Sequence, residues 1–408
     1  MSTRRPALLF LTHRIPFPPN KGDKIRSFHW LEGLAKRYRV FLGTFIDNPL
    51  DWQFCSVLAG YCEQIHAEGI NRRLHKYKCV TALLTGQSIT ETYYRNRRLQ
   101  CWVNKVMAEQ DIENILVFSS SMAQYVMGSR YHDKNRVLDF IDTDSDKWRE
   151  YSENAQGFIA WLYRREARLL ACFEKQAYEC FNQALFVSKQ ERDIFCDKVL
   201  RTRTDVKTHV VPNGVDLQYY SAHKQFVNPY ANGQRVIVFT GALDYWPNID
   251  AVQWFVSQVF IELRKQNPAL GFYIVGYNPT RQVKRLADVD GVRLAANVKD
   301  VRPYFAHAEL AVAPMRIARG IQNKVLEALA SGLPCVVSVA AIQGLDLKNG
   351  VVQAEINPTL WVQRINDLLV NGQNRLCDGV QQELKCKYAW LDKVDELLKI
   401  VENGNCQR

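Results

Sequence analysis

No apolar run in this chain approaches the ~20 residues that a membrane-spanning helix requires. There is no C-x-x-C pair and no zinc-type spacing, although the chain holds 11 cysteines. A G-x-G-x-x-G turn after a strand is missing, and with it the fingerprint of a dehydrogenase. Neither a pyridoxal motif nor a pair of carboxylates with glycosidase-like roles is evident. The opening MSTRRPALLFLTHRIPF has two arginines and an apolar stretch. That stretch is too short for a signal peptide and no small-residue cleavage site follows. It reads as a first buried strand of a protein that stays in the cytoplasm. Cys172, Cys180 and Cys335 lie in apolar contexts, as core thiols of a reducing compartment do.

A chain of 408 residues with 47% hydrophobic and 23% charged residues is expected to fold as two globular domains. Its net charge is +11, with basic clusters at RRLHKYK (72–78) and YRNRR (94–98). Arg72, Arg73, Arg97 and Arg98, with Tyr93 and Trp102 nearby, make a surface fit for an anionic membrane or for nucleic acid. A solvated face is the plain alternative. No nucleic-acid-binding motif appears, so the expectation is a membrane surface and no nucleic acid.

Apolar runs of strand length alternate with helical segments. Strands are predicted at 7–12, 39–45, 113–119, 136–141, 184–188 and 208–212, with helices at 24–37 and 155–181. A break rich in Asn, Pro and Gly at 222–234 reads as a linker. A second alternation follows, with strands at 235–241, 271–276, 308–314, 334–338 and 350–354 and helices at 248–265, 357–371 and about 380–403. Continuous apolar strands between helices indicate parallel sheets covered on both faces. The predicted class is α/β, with two doubly wound Rossmann-like domains. They span 1–222, completed by the C-terminal helix 386–408, and 234–385. Ligands of such sheets bind beyond the carboxyl ends of the strands. That places loops 13–23, 119–121, 142–150, 241–248, 276–279, 295–299 and 314–322 at the functional edge, Gly241 and Val298 among them.

The stretch RGIQNKVLEALASGLP (319–334) carries the most chemistry. Gly320 allows close backbone approach. The amides of Ile321 to Asn323 lie near a helix N-terminus, a ready anion site. Lys324 adds a point charge, and Arg316 and Arg319 add forked donors. Glu327 shares a helix face with Lys324, and its carboxylate can accept from both hydroxyls of a ribose. A solvated i,i+3 pair is the alternative; a nucleoside diphosphate presents both groups.

The string Glu327-Ala-Leu-Ala-Ser-Gly-Leu-Pro-Cys-Val-Val337 resembles the donor-site signature of retaining GT-B glycosyltransferases of the group that includes glycosyltransferase family 4. VVPNGVD (210–216) and FVSKQERDIF (186–195) are similar to further segments of that family. The resemblance implies a GT-B fold with two domains facing a cleft. It also implies transfer of a sugar from a nucleoside-diphosphate sugar, as co-substrate, to a glycan or polyprenyl-linked acceptor. Configuration would be retained, with no metal and no further cofactor. Two departures stand out: Arg319 occupies the position of a second family Glu, and GALDYWPNID lacks the Arg and Lys that often hold the diphosphate. RIPFPPNKGDKIR (14–26), DFIDTDSDKW (139–148) and GALDYWPN (241–248) look like sugar transferases of exopolysaccharide clusters linked to exosortase and PEP-CTERM sorting. A GT-B epimerase or phosphorylase, or a non-catalytic basic nucleic-acid-binding protein, is the competing reading.

By the same resemblance Gly22 lies against the donor diphosphate or the forming bond, with an ordinary turn as the alternative. His13 sits at the tip of the first strand and is a candidate catalytic residue lining the site, with a structural histidine as the alternative. Lys21, Lys24 and Arg26 are candidates for a lipid-linked diphosphate acceptor or a membrane, with plain solvated cations as the alternative. In DTDSDKWREYSE (142–153) the carboxylates match calcium-loop positions 1, 3, 5 and 12, but Lys147 stands where the loop needs Gly. Asp142 is therefore read as a cleft residue near the acceptor and the rest as helix-start charges.

Overall fold

The computed structural model describes residues 5–70, 80–202, 206–221, 225–231, 233–347, 349–370 and 378–403. The chain divides into two compact units. The first comprises Met1–Pro212 with Leu391–Arg408, and the second Asn213–Trp390.

The first unit is built on a seven-stranded sheet in the order β3-β2-β1-β4-β5-β6-β7, with every pairing parallel. Its strands are β1 (Ala7–Thr12), β2 (Arg39–Ile46), β3 (Gln64–Gly69), β4 (Ile112–Phe118), β5 (Asn135–Ile141), β6 (Gln183–Phe186) and β7 (Thr208–Val210). All six residues of β1 are buried. Helices on both faces leave no polar side to such a strand, which is why ALLFLT is continuous rather than alternating. Edge strand β3 is QIHAEG, half-exposed and mixed in polarity; its composition carries no strand signal, and the sequence prediction omits it. The helices used below are α1 (Gly22–Arg37), α2 (Ile89–Tyr93), α3 (Arg97–Glu109), α4 (Asp144–Glu153) and α5 (Gly157–Cys180). Helix α1 buries Trp30, Leu31 and Leu34 on its sheet-facing stripe. Full burial of such side chains stabilises by about 1.5–3 kcal/mol each.

The second unit holds a six-stranded parallel sheet, β10-β9-β8-β11-β12-β13. The strands are β8 (Arg235–Ala242), β9 (Leu270–Tyr277), β10 (Val292–Ala296), β11 (Leu310–Ala313), β12 (Cys335–Ser338) and β13 (Val351–Ala354). Here α6 (Trp246–Phe255), α7 (Asn323–Ala330), α8 (Pro358–Val370) and α9 (Asp378–Tyr388) matter, and α10 (Trp390–Asn403) returns the chain to the first unit. The predicted helix 248–265 is interrupted by a π-turn at Val256–Phe260. The single helix predicted at 380–403 is two, parted at Ala389, which bridges to Val215.

The division at Pro212 falls ten residues before the linker read from the sequence. It lies in PNGVD. There the Val215 N–H donates to the Tyr388 carbonyl at 2.7 Å. A Cβ on Gly214 would stand 2.8 Å from Cδ2 of Trp390. That glycine is required because two backbone segments pass without room for a side chain.

In each sheet the strand order reverses once, between β1 and β4 and between β8 and β11. Such a switch point opens a crevice at the carboxyl edge, where loops diverge to opposite faces. Among the described residues no helix is long and apolar enough to cross a membrane.

Candidate functional site

In the second unit two glycines face each other at the carboxyl ends of β8 and β9, beside the switch point. Gly241 of β8 pairs in register with Gly276 of β9. A Cβ on Gly276 would run into the Gly241 carbonyl, and one on Gly241 would lie 2.8 Å from Asn248 Nδ2 and 3.3 Å from Lys324 Nζ. Pro247 opens α6 at its first turn and sets Asn248 behind it. The Asn248 amide bridges the edge: Nδ2 donates to the Ala242 carbonyl at 2.9 Å, and Oδ1 accepts from Lys324 Nζ at 2.5 Å. The same ammonium lies 4.2 Å from the Phe239 ring centroid. Asn248 is a candidate that was not named from the sequence, although its loop was placed at the functional edge.

Helix α7 follows the β11 loop, where Gly320 takes φ +60°. Lys324 stands in its first turn and Glu327 one turn on, both half-buried. Desolvation pulls the Lys324 ammonium down to about 7 against the opposing charge of Glu327. Desolvation likewise pushes Glu327 up to about 7, offset in part by a hydrogen bond with Tyr220 and by Lys324. Groups shifted toward neutrality by desolvation and an opposing charge cluster at functional sites, and occur in structural pairs as well. Tyr220 is the second residue that the sequence analysis missed. Its neighbour Tyr219 has the Arg302 guanidinium 3.7 Å from its ring centroid, and Asp300 holds that guanidinium at 2.6 Å.

The other candidates of this unit lie differently. Arg316 is engaged by Asp250, with Nε at 2.8 Å from Oδ2 and a second bond from Nη2, so much of its fork faces a carboxylate. Asn323 Oδ1 accepts from Asn213 Nδ2 at 3.1 Å, which ties PNGVD to the start of α7. Arg319 is half-buried, and its carbonyl accepts from Gln322 at 3.2 Å. The Val298 carbonyl accepts from the Tyr277 hydroxyl at 2.6 Å.

At the switch point of the first unit, His13 follows β1. Its ring stacks on Phe118 of β4 with centroids 5.8 Å apart, and Nε2 lies 3.3 Å from Asp23. Burial raises the Asp23 carboxyl. The His13 hydrogen bond and the Arg14 charge outweigh it and hold the group well below the usual range. Gly22, exposed, begins α1, and the half-buried Lys21 precedes it. Asp142 follows β5 and takes a hydrogen bond from Lys147 at 2.8 Å. Three buried polar atoms here have no hydrogen-bond partner among the described residues: His13 Nδ1, Ser120 Oγ and Asp142 Oδ1. Ser120 belongs to the loop after β4, next to Ser119 at φ +79°; the sequence placed this loop at the functional edge without naming Ser120. Ile141, a β-branched residue at φ +68° just before Asp142, is a second backbone outlier on this edge.

Two assignments need correction. Lys24 and Arg26 are not surface cations. Lys24 is 3% exposed and paired with Asp51 at 2.5 Å. Arg26 is wholly buried, with Nε 2.7 Å from Asp139 Oδ2 and Nη1 donating to the Val211 carbonyl at 2.7 Å. Trp30 Nε1 completes the set at 2.8 Å from Asp139. A buried charge persists only when paired and hydrogen-bonded, and both side chains are consumed in doing so. Arg97 and Arg98 are exposed in the first turn of α3. Arg72 and Arg73 lie outside the described residues. The DTDSD carboxylates face cations. Lys147 bonds Asp142 and Asp144, while Arg149 and Lys198 bond Asp146.

Comparison with known proteins bears on the second unit first. Residues 234–371 match the family model "Glycosyl transferases group 1". Solved structures match the chain from end to end at low identity. A glycosyltransferase from Rickettsia africae aligns over 98% of each chain at 10% identity and TM-score 0.66. HepE of Anabaena, in complex with UDP, aligns over 97% of this chain and 100% of its own at 13% identity and TM-score 0.67. WaaG, a glycosyltransferase involved in lipopolysaccharide biosynthesis, aligns over 97% and 99% at 14% identity and TM-score 0.64. A search of curated proteins finds no match. The chain thus has the GT-B fold, two Rossmann-like domains of seven and six parallel strands, and the match to the glycosyltransferase group 1 model lies within its second unit.

Proposed function

We propose that the protein transfers a sugar from a nucleoside-diphosphate sugar to a glycan or lipid-linked glycan, with retention of configuration and without a metal. The observation that carries this reading is the Lys324–Glu327 pair beside the bare Gly241–Gly276 edge. HepE is known with UDP, and with UDP and glucose, which supports a uridine nucleotide as the first probe. The diphosphate would lie over Gly241 and Gly320, against Lys324 and the first amides of α7. Glu327 would accept from the ribose hydroxyls. Fixed cationic groups that meet charge developing on the leaving diphosphate supply transition-state stabilisation without reorganisation. The leaving phosphate itself can take the acceptor proton, so the reaction asks for no protein base. In the first unit, His13 Nδ1, Ser120 Oγ and Asp142 Oδ1 are the natural partners of acceptor hydroxyls, because buried polar atoms seek hydrogen bonds. Gly22 leaves the start of α1 open beside them. The segments 14–26, 139–148 and 241–248 support an exopolysaccharide role of the exosortase and PEP-CTERM type, at the cytoplasmic face of a membrane.

Titration calorimetry with UDP tests the donor site. Hydrogen bonds to a charged group contribute roughly 1.5–3 kcal/mol each, so Glu327→Ala is expected to weaken binding at least about tenfold while the fold persists. An unchanged affinity would overturn the assignment.

A further inference from the structure

Helix α4 leaves the carboxyl edge of the first unit's sheet at Asp144, and α5 returns antiparallel to it, ending at Cys180 just before β6. Ten residues of α4 rise about 15 Å, so the turn at Asn154–Gln156 overhangs the edge where the loops of His13, Ser120 and Asp142 lie. The hairpin is held by an aromatic cluster: Trp148, Tyr151 and Tyr163 have ring centroids 5.3–6.2 Å apart. Beyond that cluster the tip is apolar and uncovered. Phe158, Ile159 and Trp161 are 68%, 54% and 48% exposed, and the rings of Phe158 and Trp161 stack at 5.4 Å. Arg165 donates to the carbonyls of Ala82 and Gln87. It thereby anchors, one turn from Trp161, a segment that bears exposed Val80 and Leu84.

The cations on α5 are ordered along the same axis. Arg164 and Arg168 lie three and seven residues after Trp161, on its face of the helix, and both are exposed. Neither has an ion pair among the described residues. Glu153, near the tip, is met by Arg149 at 3.8 Å. Relative to Phe158 the two guanidinium-bearing positions stand about 9 and 15 Å back along the helix. An aromatic tip followed at that depth by arginines fits the acyl boundary and phosphate layer of a bilayer. A second copy of this chain, itself at +11, would bring like charge to the same face.

We propose that the α4–α5 tip docks the protein on an anionic lipid bilayer, with Phe158, Ile159 and Trp161 entering the acyl boundary and Arg164 and Arg168 meeting lipid phosphates. This rests on the lipid-linked-acceptor part of the reading above and names its surface. Nucleotide binding reports on the donor site, and vesicle binding on this tip, so the two fail separately.

The test is flotation of the full chain with vesicles of phosphatidylglycerol and phosphatidylcholine in equal parts, against phosphatidylcholine alone. The wild type is expected to float with the anionic vesicles and to be released by salt. Phe158→Ser/Trp161→Ser should lower partition at least about tenfold, and Arg164→Glu/Arg168→Glu should abolish it, with UDP affinity unchanged in both. Brominated acyl chains should quench tryptophan fluorescence in the wild type, and less in Trp161→Phe. Wild-type protein that ignores anionic vesicles, or variants that float as well as wild type, overturn the proposal. So does a concentration-dependent dimer that the Ser variants abolish without any effect on vesicles, since the tip would then be a contact between copies.

Discussion

Binding of a nucleotide sugar is expected to move protons in opposite directions on the two sides of neutrality. UDP-glucose suits the experiment because its diphosphate, esterified at both ends, has no ionisation of its own between pH 6 and 8. Lys324 is drawn down to about 7 by desolvation, and Glu327 is pushed up to about 7 by the same cause. The diphosphate favours the ammonium, and the ribose hydroxyls favour the carboxylate. At pH 8 about 0.9 of Lys324 is neutral and about 0.1 of Glu327 is protonated, so full capture takes up about 0.8 proton. At pH 6 the fractions reverse, and about 0.8 proton is released. Near pH 7 the exchange passes through zero. Calorimetry in buffers of different ionisation enthalpy reads the number directly, as the slope of apparent enthalpy against buffer enthalpy. Affinity follows the fraction of each group already in its binding form. It should be greatest near pH 7 and fall about threefold by pH 8, where the loss of Lys324 charge outweighs the gain of ionised Glu327. Lys324→Met should abolish the uptake at pH 8 and leave the release at pH 6; Glu327→Gln should do the converse. A slope of zero at both pH values, or exchange that survives both substitutions, would refute the reasoning.

Three further outcomes follow from particular contacts. Arg26→Met leaves the buried Asp139 carboxylate with too few partners, at a cost of roughly 3–5 kcal/mol. A clear drop in thermal midpoint is expected, largely regained in Arg26→Met/Asp139→Leu; a midpoint within about 2 °C of wild type would show that the pair is not structural. Gly241→Ala sets a methyl group 2.8 Å from Asn248 Nδ2 and 3.3 Å from Lys324 Nζ. It should cost nucleotide affinity with the circular dichroism spectrum retained, and undiminished affinity would remove the edge from the site. Sugar transfer should persist in EDTA; a loss restored by Mg²⁺ or Mn²⁺ would return Asp142 and Asp144 to consideration as ligands.

The sheets were legible wherever burial on both faces forces a continuous apolar run, as in ALLFLT and RVIVFTG. Strands β3 and β10 were not, because an edge strand is half-wet and tolerates QIHAEG. The juxtaposition of Lys324 and Glu327 was legible because it is local, three residues apart on one helix. That of Asn248 was not, since its bond to Lys324 spans 76 residues, and a Pro-Asn at a helix start ordinarily means a turn. Lys24 and Arg26 were misread for the same reason. A cation near a helix start looks solvated until Asp51 and Asp139, 27 and 113 residues on, are folded against it. The crossing at PNGVD was visible as a motif. Its meaning as a boundary depends on Trp390 and Tyr388, far along the chain. The loop of Ser120 could be placed at the carboxyl edge, but Ser120 itself could not be named, since an unpartnered hydroxyl is a property of three dimensions.

The chain enters the second unit at Asn213 and leaves it at Trp390, so that unit is an insertion into the first. Residues of α10 then finish the earlier fold. Val394 fills the space beside Gly33 that admits no side chain, and Asn135 Nδ2 donates to the Val401 carbonyl at 2.6 Å. On the ribosome, therefore, the half made first cannot be sealed first. The second unit is complete once Trp390 has emerged, while the first waits, open along α1 and β5, for residues made after it. A chain released at that point would carry a finished second unit and an unfinished first.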